Sequence, residues 1–231
     1  MYFDISKAFD SVPHERLIRK LESFGIRGPL LELLQNYLSN RSYVVKVGKS
    51  FSSQKPIPSG VPQGSVGGPI LFTAYLADIV KICETPGVII KLFADDLKIY
   101  YMSKLHNNFS SPLQSFIDKF VKYCEINGLQ IALKKCSVLY IGNNNPQSKY
   151  FINGIRINAI QNKQPVRDLG LHFRSDLKWD SHIEIIIKKA RRTSYAILKS
   201  IKTCDSKLLI ETYKTFVRPT LEFATNVYNP Y

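Results

Sequence analysis

The amino-acid sequence predicts an α+β domain running to about residue 142, followed by a smaller, mainly helical region. Three observations lead there. Two β-rich runs, Val88 to Phe93 and Leu97 to Tyr101, are separated only by Ala94, Asp95 and Asp96, a spacing that suits a tight antiparallel hairpin. Apolar residues at helical spacing flank that pair, most clearly from Pro112 to Cys124. Finally, Gly142 to Ser148 holds three consecutive asparagines and Pro146, the composition of a linker.

Taken in order, Met-Tyr-Phe-Asp reads as the end of a buried strand, and so abrupt an opening predicts an N-terminally truncated domain. Asp10 or Ser11 is placed to cap a helix with Pro13 in its first turn, Leu17, Ile18, Leu21 and Phe24 on its apolar face, and Gly25 at its end. A second helix is expected from Pro29 to Leu38, and a short strand from Tyr43 to Val47. A Gly/Pro-rich stretch, Ser59 to Pro69, leads into a helical run from Ile70 to Ile82. Pro112 opens an amphipathic helix whose face is Leu113, Phe116, Ile117, Phe120, Val121 and Cys124, and Gly128 closes it.

Ser137 to Ile141 is a further strand. Asn153-Gly154, between Tyr150–Ile152 and Ile155–Ile157, is a strong two-residue hairpin signal. Val166 to Phe173 reads as another strand. Ser181 and Glu184 form a capping box for a long helix with Ile183, Ile186, Ile187, Ala190, Ile197, Leu198 and Ile201 on one stripe. A last helix runs from about Asp205 to Val217 and stops before Pro219.

The composition of the 231 residues, 45% hydrophobic and 22% charged, is that of a globular chain and excludes a disordered or collagenous one. Thirty-two Lys and Arg against 18 Asp and Glu leave a net charge of +14, which favours a polyanionic partner. The longest weakly charged stretch, Val66 to Ile79, falls short of the ~20 apolar residues that span a bilayer, so nucleic acid is preferred over membrane. Cys83, Cys124, Cys136 and Cys204 form no Cys-x-x-Cys pair and no zinc-like spacing with His14, His106, His172 and His182. Reduced thiols are expected. With Asp4 so early, no secretory signal is expected either, and the protein is read as intracellular.

Paired aspartates at a hairpin tip, Asp95 and Asp96, repel each other and are an odd choice for a turn. Alone they read as solvated charges. Asp4, a third carboxylate at the end of an apolar strand, changes this: were the strands neighbours, Asp4 and Asp95 would converge on hard cations. Two such ions about 3.5–4 Å apart clamp the attacking and leaving oxygens of a phosphoryl transfer.

Here the sequence resembles a known family. Asp4-Ile-Ser-Lys-Ala-Phe9-Asp10, then Ser59-Gly-Val-Pro-Gln63-Gly64, then Phe93-Ala-Asp95-Asp96 resemble three successive motifs of the reverse transcriptases of non-LTR, LINE-like retrotransposons. The likeness continues through Gly128-Leu129 to Lys135-Cys136, Val166 to Gly170, Leu177 to His182, and Tyr213 to Pro219. It implies a polymerase palm, an antiparallel sheet with helices packed on one face, plus a small helical thumb. Residues 1–142 would be the palm with partial fingers; 143–231 would hold a hairpin, a primer-grip-like strand and the thumb. The upstream fingers and the endonuclease of a full-length element would be missing.

The implied activity is RNA-directed DNA polymerisation, joining dNTPs to a DNA primer on an RNA template with two Mg²⁺ ions, or Mn²⁺. Asp4 and Asp95 would be metal ligands, with Asp96 supporting them. Phe9 would sit under the incoming sugar as a gate against a 2′-hydroxyl; its other reading is a core aromatic. Gln63 and Gly64 would lie where template and nucleotide meet, or form a plain Pro-Gly loop. Lys135 would be the acid that helps pyrophosphate leave, or a solvated strand-end lysine. Leu169 and Gly170 would grip the primer end, or pack as strand.

Two positions depart from the pattern: Gly67 replaces a larger aliphatic residue, and Ala132 stands where Asn is common. From Ser181 to Arg218 nine basic residues, Lys188, Lys189, Arg191 and Arg192 foremost, face three acids, which suits a helix that follows a nucleic-acid backbone. Trp179 is read as core. Without fingers, the chain alone is expected to extend a primer poorly or not at all; an inactive remnant that at most binds RNA is the alternative. A ribonucleoprotein of nucleus or cytoplasm would be its setting.

Overall fold

In the computed structural model residues 1–102, 110–142, 145–201 and 205–229 are described. His106, Lys202, Cys204 and part of the expected linker lie outside them. The chain divides into two compact units, residues 1–138 with 146–158, and residues 139–145 with 159–231.

In the first unit, alternation of Phe3 and Ile5 with Tyr2 and Asp4 makes Tyr2–Ser6 a strand with one apolar face, Phe3 and Ile5 each being 2% exposed. It lies between Ser137–Val138 and Asp96–Tyr101, with Val88–Phe93 beyond, all antiparallel. Gln130–Ile131 pairs with its other end, Ile5 opposite Ile131. Leu97 and Ile99 share the buried face. The helix Ser110–Ile126 covers it, the Phe3 ring meeting Phe120 at 5.1 Å and Phe116 at 6.3 Å.

The expected caps Asp10 and Ser11 are not caps. They lie in a separate helical turn, Ala8–Ser11, and the next helix, His14–Ser23, starts after Pro13 with no side-chain cap. The cause is Pro13, whose ring forces Val12 into extended backbone (φ −64°, ψ 114°) and breaks the run. Leu17 and Leu21 are buried as expected, but Phe24 is exposed. Pro29–Leu38 is helical as read.

The run Ile70 to Ile82 is two helices, Gly67–Leu76 and Ile79–Ile82. At the break, the Asp78 carboxylate accepts from Lys20 Nζ and from the Tyr123 hydroxyl, both at 2.7 Å. Lys20 also donates to the Tyr75 carbonyl at 2.7 Å, so one half-buried cluster ties three helices together. Burial lowers the Lys20 pKa despite its Asp78 partner.

Tyr43 to Val47 is not one strand. Ser42–Tyr43 pairs with Lys55–Pro56, and Lys46–Val47 with Ser50–Phe51, because the chain reverses at Gly48 (φ +59°). The strand read from Ser137 to Ile141 keeps only Ser137–Val138. Phe151–Ile152 and Ile155–Arg156 form the expected hairpin, with Asn153 and Gly154 both at positive φ. The Gln114 side chain holds it to the long helix, donating to the Phe151 carbonyl and accepting from its N–H.

The second unit is mainly helical. Val166 to Phe173 is a hairpin rather than one strand: Val166–Asp168 pairs with Leu171–Phe173 around Leu169 (φ +45°) and Gly170 (φ +90°). The long helix is Asp180–Ser200, with Trp179 at its N-cap and no capping box; the Ser181 hydroxyl instead accepts from Arg174 at 3.1 Å. Trp179, read as core, is only half-buried, packing among Phe173, His182 and Tyr228.

The last helix does not stop before Pro219. Ser206–Thr212 passes through a π-helical turn, Tyr213–Val217, into Arg218–Glu222. Proline lacks an N–H and crowds the carbonyl four residues back, so widening the preceding turn lets the helix pass. No helix among the described residues is long and apolar enough to cross a membrane.

Candidate active site

Asp4 sits on the face of its strand opposite Phe3 and Ile5, and in register it faces Asp96 across the antiparallel pair. Directly opposed residues point to the same side of a sheet, so the two carboxylates share a face. The hairpin turn is one residue tighter than its sequence suggests. Phe93 pairs with Asp96, leaving only Ala94 (φ +53°) and Asp95 at the tip. Asp95, half-buried, therefore stands beside the register pair rather than in it.

Two like charges opposed on adjacent strands are destabilising unless a cation lies between or beside them. Lys135 provides one at Asp4. Its Nζ is 3.2 Å from both Asp4 carboxylate oxygens. The backbone arranges this: Ala132 N donates to the Asp4 carbonyl at 2.9 Å, and Lys135 N to the Ala132 carbonyl at 2.8 Å, closing the turn Leu133–Lys135.

Among the described residues, no three of His, Cys, Asp and Glu converge as a closed metal cage. Magnesium does not need one. It is commonly held by one or two carboxylates, with water and substrate phosphates completing its shell. The donor set here, hard oxygens with a cation already seated on one of them, fits such an ion.

Beyond the strand, Lys7 in left-handed backbone (φ +47°) turns the chain into Ala8–Ser11. Phe9 stacks on buried Phe72 with centroids 4.3 Å apart, which fixes one ring face. The loop from Ser59 to Gln63 is stapled to this turn. Val61 N donates to the Phe9 carbonyl and Gly60 N to the Val12 carbonyl, each at 2.8 Å. The Ser59 hydroxyl donates to the Asp10 carbonyl at 2.9 Å, and Gln63 Nε2 to Asp10 Oδ1 at 2.8 Å. His14 Nε2 donates to the Gly60 carbonyl at 2.7 Å, which sets its tautomer.

The sequence reading missed two residues here. Gly60 (φ +96°) is the position of close approach: a Cβ there would lie 2.8 Å from Asp10 Cα. Gly64 (φ +76°) faces open space. Asp10, read as a cap, instead orients Gln63. A carboxylate six residues after Asp4, facing a Ser-Gly loop, was the available signal.

In the second unit, Leu169 and Gly170 form the hairpin turn, and Gly170 lies so close against the Phe223 ring that a Cβ would be 2.7 Å from its Cε1. Lys188, Lys189, Arg191 and Arg192 are all exposed on the long helix, with Lys188 paired to Glu184 at 3.7 Å. His172 and His182, read as scattered, meet at 3.4 Å between their Nδ1 atoms. Burial lowers both pKa values, helped by Arg167 beside His172 and by His172 beside His182.

Residues 1–173 match the family described as reverse transcriptase (RNA-dependent DNA polymerase). The chain belongs to the reverse transcriptase family. Over 98% of its length it is 29% identical to the RNA-directed DNA polymerase from mobile element jockey of Drosophila melanogaster. It is also 30% identical, over 54% of the chain, to the probable RNA-directed DNA polymerase from transposon BS, and 24% identical, over 99%, to that from transposon X-element, both of the same fly. These relatives place it among the reverse transcriptases of non-LTR retrotransposons. The chain spans 25%, 14% and 25% of those three proteins. Reverse transcriptases generally use divalent metal ions and bind an RNA template and a primer, and these relatives are larger retroelement proteins.

Proposed function

We propose that this chain carries the nucleotidyl-transfer centre of a retroelement RNA-directed DNA polymerase, joining dNTPs to the 3′-hydroxyl of a DNA primer on an RNA template. The observation that carries the reading is the register pairing of Asp4 with Asp96, beside Asp95 and with a cation on Asp4. Mg²⁺, or Mn²⁺, held by Asp4 and Asp95 with Asp96 supporting them, its shell completed by water and substrate phosphates, would stabilise the charge on the attacking and leaving oxygens.

The chain's own residues position the reactants. Phe9, held by Phe72, lies under the sugar and excludes a 2′-hydroxyl. Gln63, oriented by Asp10, and Gly64 border the templating base and the incoming nucleotide. Leu169 and Gly170 hold the primer end. Lys188, Lys189, Arg191 and Arg192 follow the backbone without reading sequence. In this reading residues 1–142 act as palm with part of the fingers, and 143–231 as primer grip and thumb. Positioning and electrostatics dominate phosphoryl transfer, so these contacts set the rate.

The test is single-nucleotide addition to a DNA primer on an RNA template with Mg²⁺, followed for hours so that slow turnover registers. Addition that Asp4→Asn and Asp95→Asn abolish supports the centre. Equal addition by either variant overturns it, and the same comparison made on the chain preceded by a fingers segment decides the case in which the chain alone adds nothing.

A further inference from the structure

We propose that Lys135 is a built-in counter-ion that holds Asp4 until a divalent cation displaces it, so that metal arrival and release of the lysine are one event. The proposal rests on reading Asp4 as a metal-holding carboxylate. Its own support is geometric. The Lys135 ammonium lies 3.2 Å from Oδ1 and 3.2 Å from Oδ2, on the bisector of the carboxylate, where a cation bound through both oxygens sits. Both contacts are longer than the ~2.7–2.9 Å of a tight charge-assisted bond. The lysine side chain is 68% exposed against 23% for Asp4, so nothing traps it in place.

The placement is not a free side chain's accident. The turn that carries Lys135 is hydrogen-bonded to the backbone of Asp4 itself through Ala132, so carboxylate and ammonium belong to one local unit. Such a cation has work to do in the metal-free protein. Asp4 opposes Asp96 in register, and the lysine offsets their mutual repulsion. A divalent ion does the same with twice the charge. When it binds, Lys135 is left beside the site with a free ammonium group.

The experiment compares the parent chain with Lys135→Gln, Lys135→Arg and Asp4→Asn. Mn²⁺ affinity is read by electron paramagnetic resonance, and thermal stability is read across a Mg²⁺ titration. Because exposed pairs are weak, Lys135→Gln should bind Mn²⁺ about two- to fivefold more tightly. It should melt below the parent without metal, and the gap should close as Mg²⁺ rises. Lys135→Arg, which keeps the charge and fits a carboxylate fork better, should bind Mn²⁺ more weakly than the parent. Unchanged or weaker Mn²⁺ binding by Lys135→Gln overturns the proposal. Parent-like binding by Asp4→Asn instead overturns the underlying metal site, so the two failures are distinguishable.

Discussion

Replacing Gly60 with alanine tests how the loop from Ser59 to Gln63 is held. The added Cβ would lie 2.8 Å from Asp10 Cα and 2.9 Å from the carbonyl oxygens of Asp10 and Phe9, all backbone atoms that cannot rotate away. Gly60 also has φ +96°, which costs an L-residue about 1–2 kcal/mol. Overpacking adds about 1–3 kcal/mol, for a total of roughly 2–5 kcal/mol. At about 2–4 °C per kcal/mol for a chain of this size, the midpoint should fall by roughly 4–20 °C. Gly64→Ala provides the comparison, since its φ is +76° but nothing lies within 4 Å of its Cβ. It should cost only the conformational term, about 1–2 kcal/mol. Urea denaturation followed by circular dichroism measures both. If Gly60→Ala is no more destabilising than Gly64→Ala, the close approach of the loop to the Phe9–Asp10 turn is wrong.

Phe9→Ala removes a half-buried ring from Phe72; a stability loss of about 1–3 kcal/mol is expected, below that of a fully buried phenylalanine, together with increased ribonucleotide incorporation in primer extension. His172 and His182 have pKa values below the ordinary 6.5, so the unfolded chain binds more protons as the pH falls through that value. Stability should therefore decline below about pH 6.5, as read by Trp179 fluorescence, and His172→Gln should flatten that decline. RNA–DNA affinity should fall steeply with salt. Neutralising Lys188, Lys189, Arg191 and Arg192 together should make the log–log slope shallower by up to about 3–4, and an unchanged slope would remove them from the interface.

Much of this was legible in the residues because short-range rules governed it. The Asn153-Gly154 turn and the stripe through Phe116 and Phe120 each specify local structure without help from distant chain. The pairing of Asp4 with Asp96 was foreseeable only as a possibility, since register depends on the turn length. That turn proved one residue shorter because Ala94 adopts left-handed backbone. Val166 to Phe173 misled for the same reason: Leu169 looks like a strand residue, and only the pairing shows that it turns.

Caps failed where other partners competed. Ser181 is engaged by Arg174, and Val12 is held extended by Pro13. The meeting of His172 with His182, and of Gln63 with Asp10, depends on contacts across 10 and 53 positions, which no local pattern encodes.

The register also bears on which insertions and deletions the chain tolerates. Side chains alternate with a period of two, so shifting one strand against its neighbour by a single residue exchanges its faces. One extra residue in the Ala94-Asp95 turn, if taken up as slippage of the following strand, would seat the added residue opposite Asp4 and move Asp96 opposite Phe3, toward the side that Phe3 and Ile5 bury. The turn thus acts as a phase marker for the acidic face. The ladders between Ser42 and Pro56, exposed throughout and joined by short loops, carry no such phase. Length variation among related sequences should therefore gather there and be absent between Phe93 and Asp96.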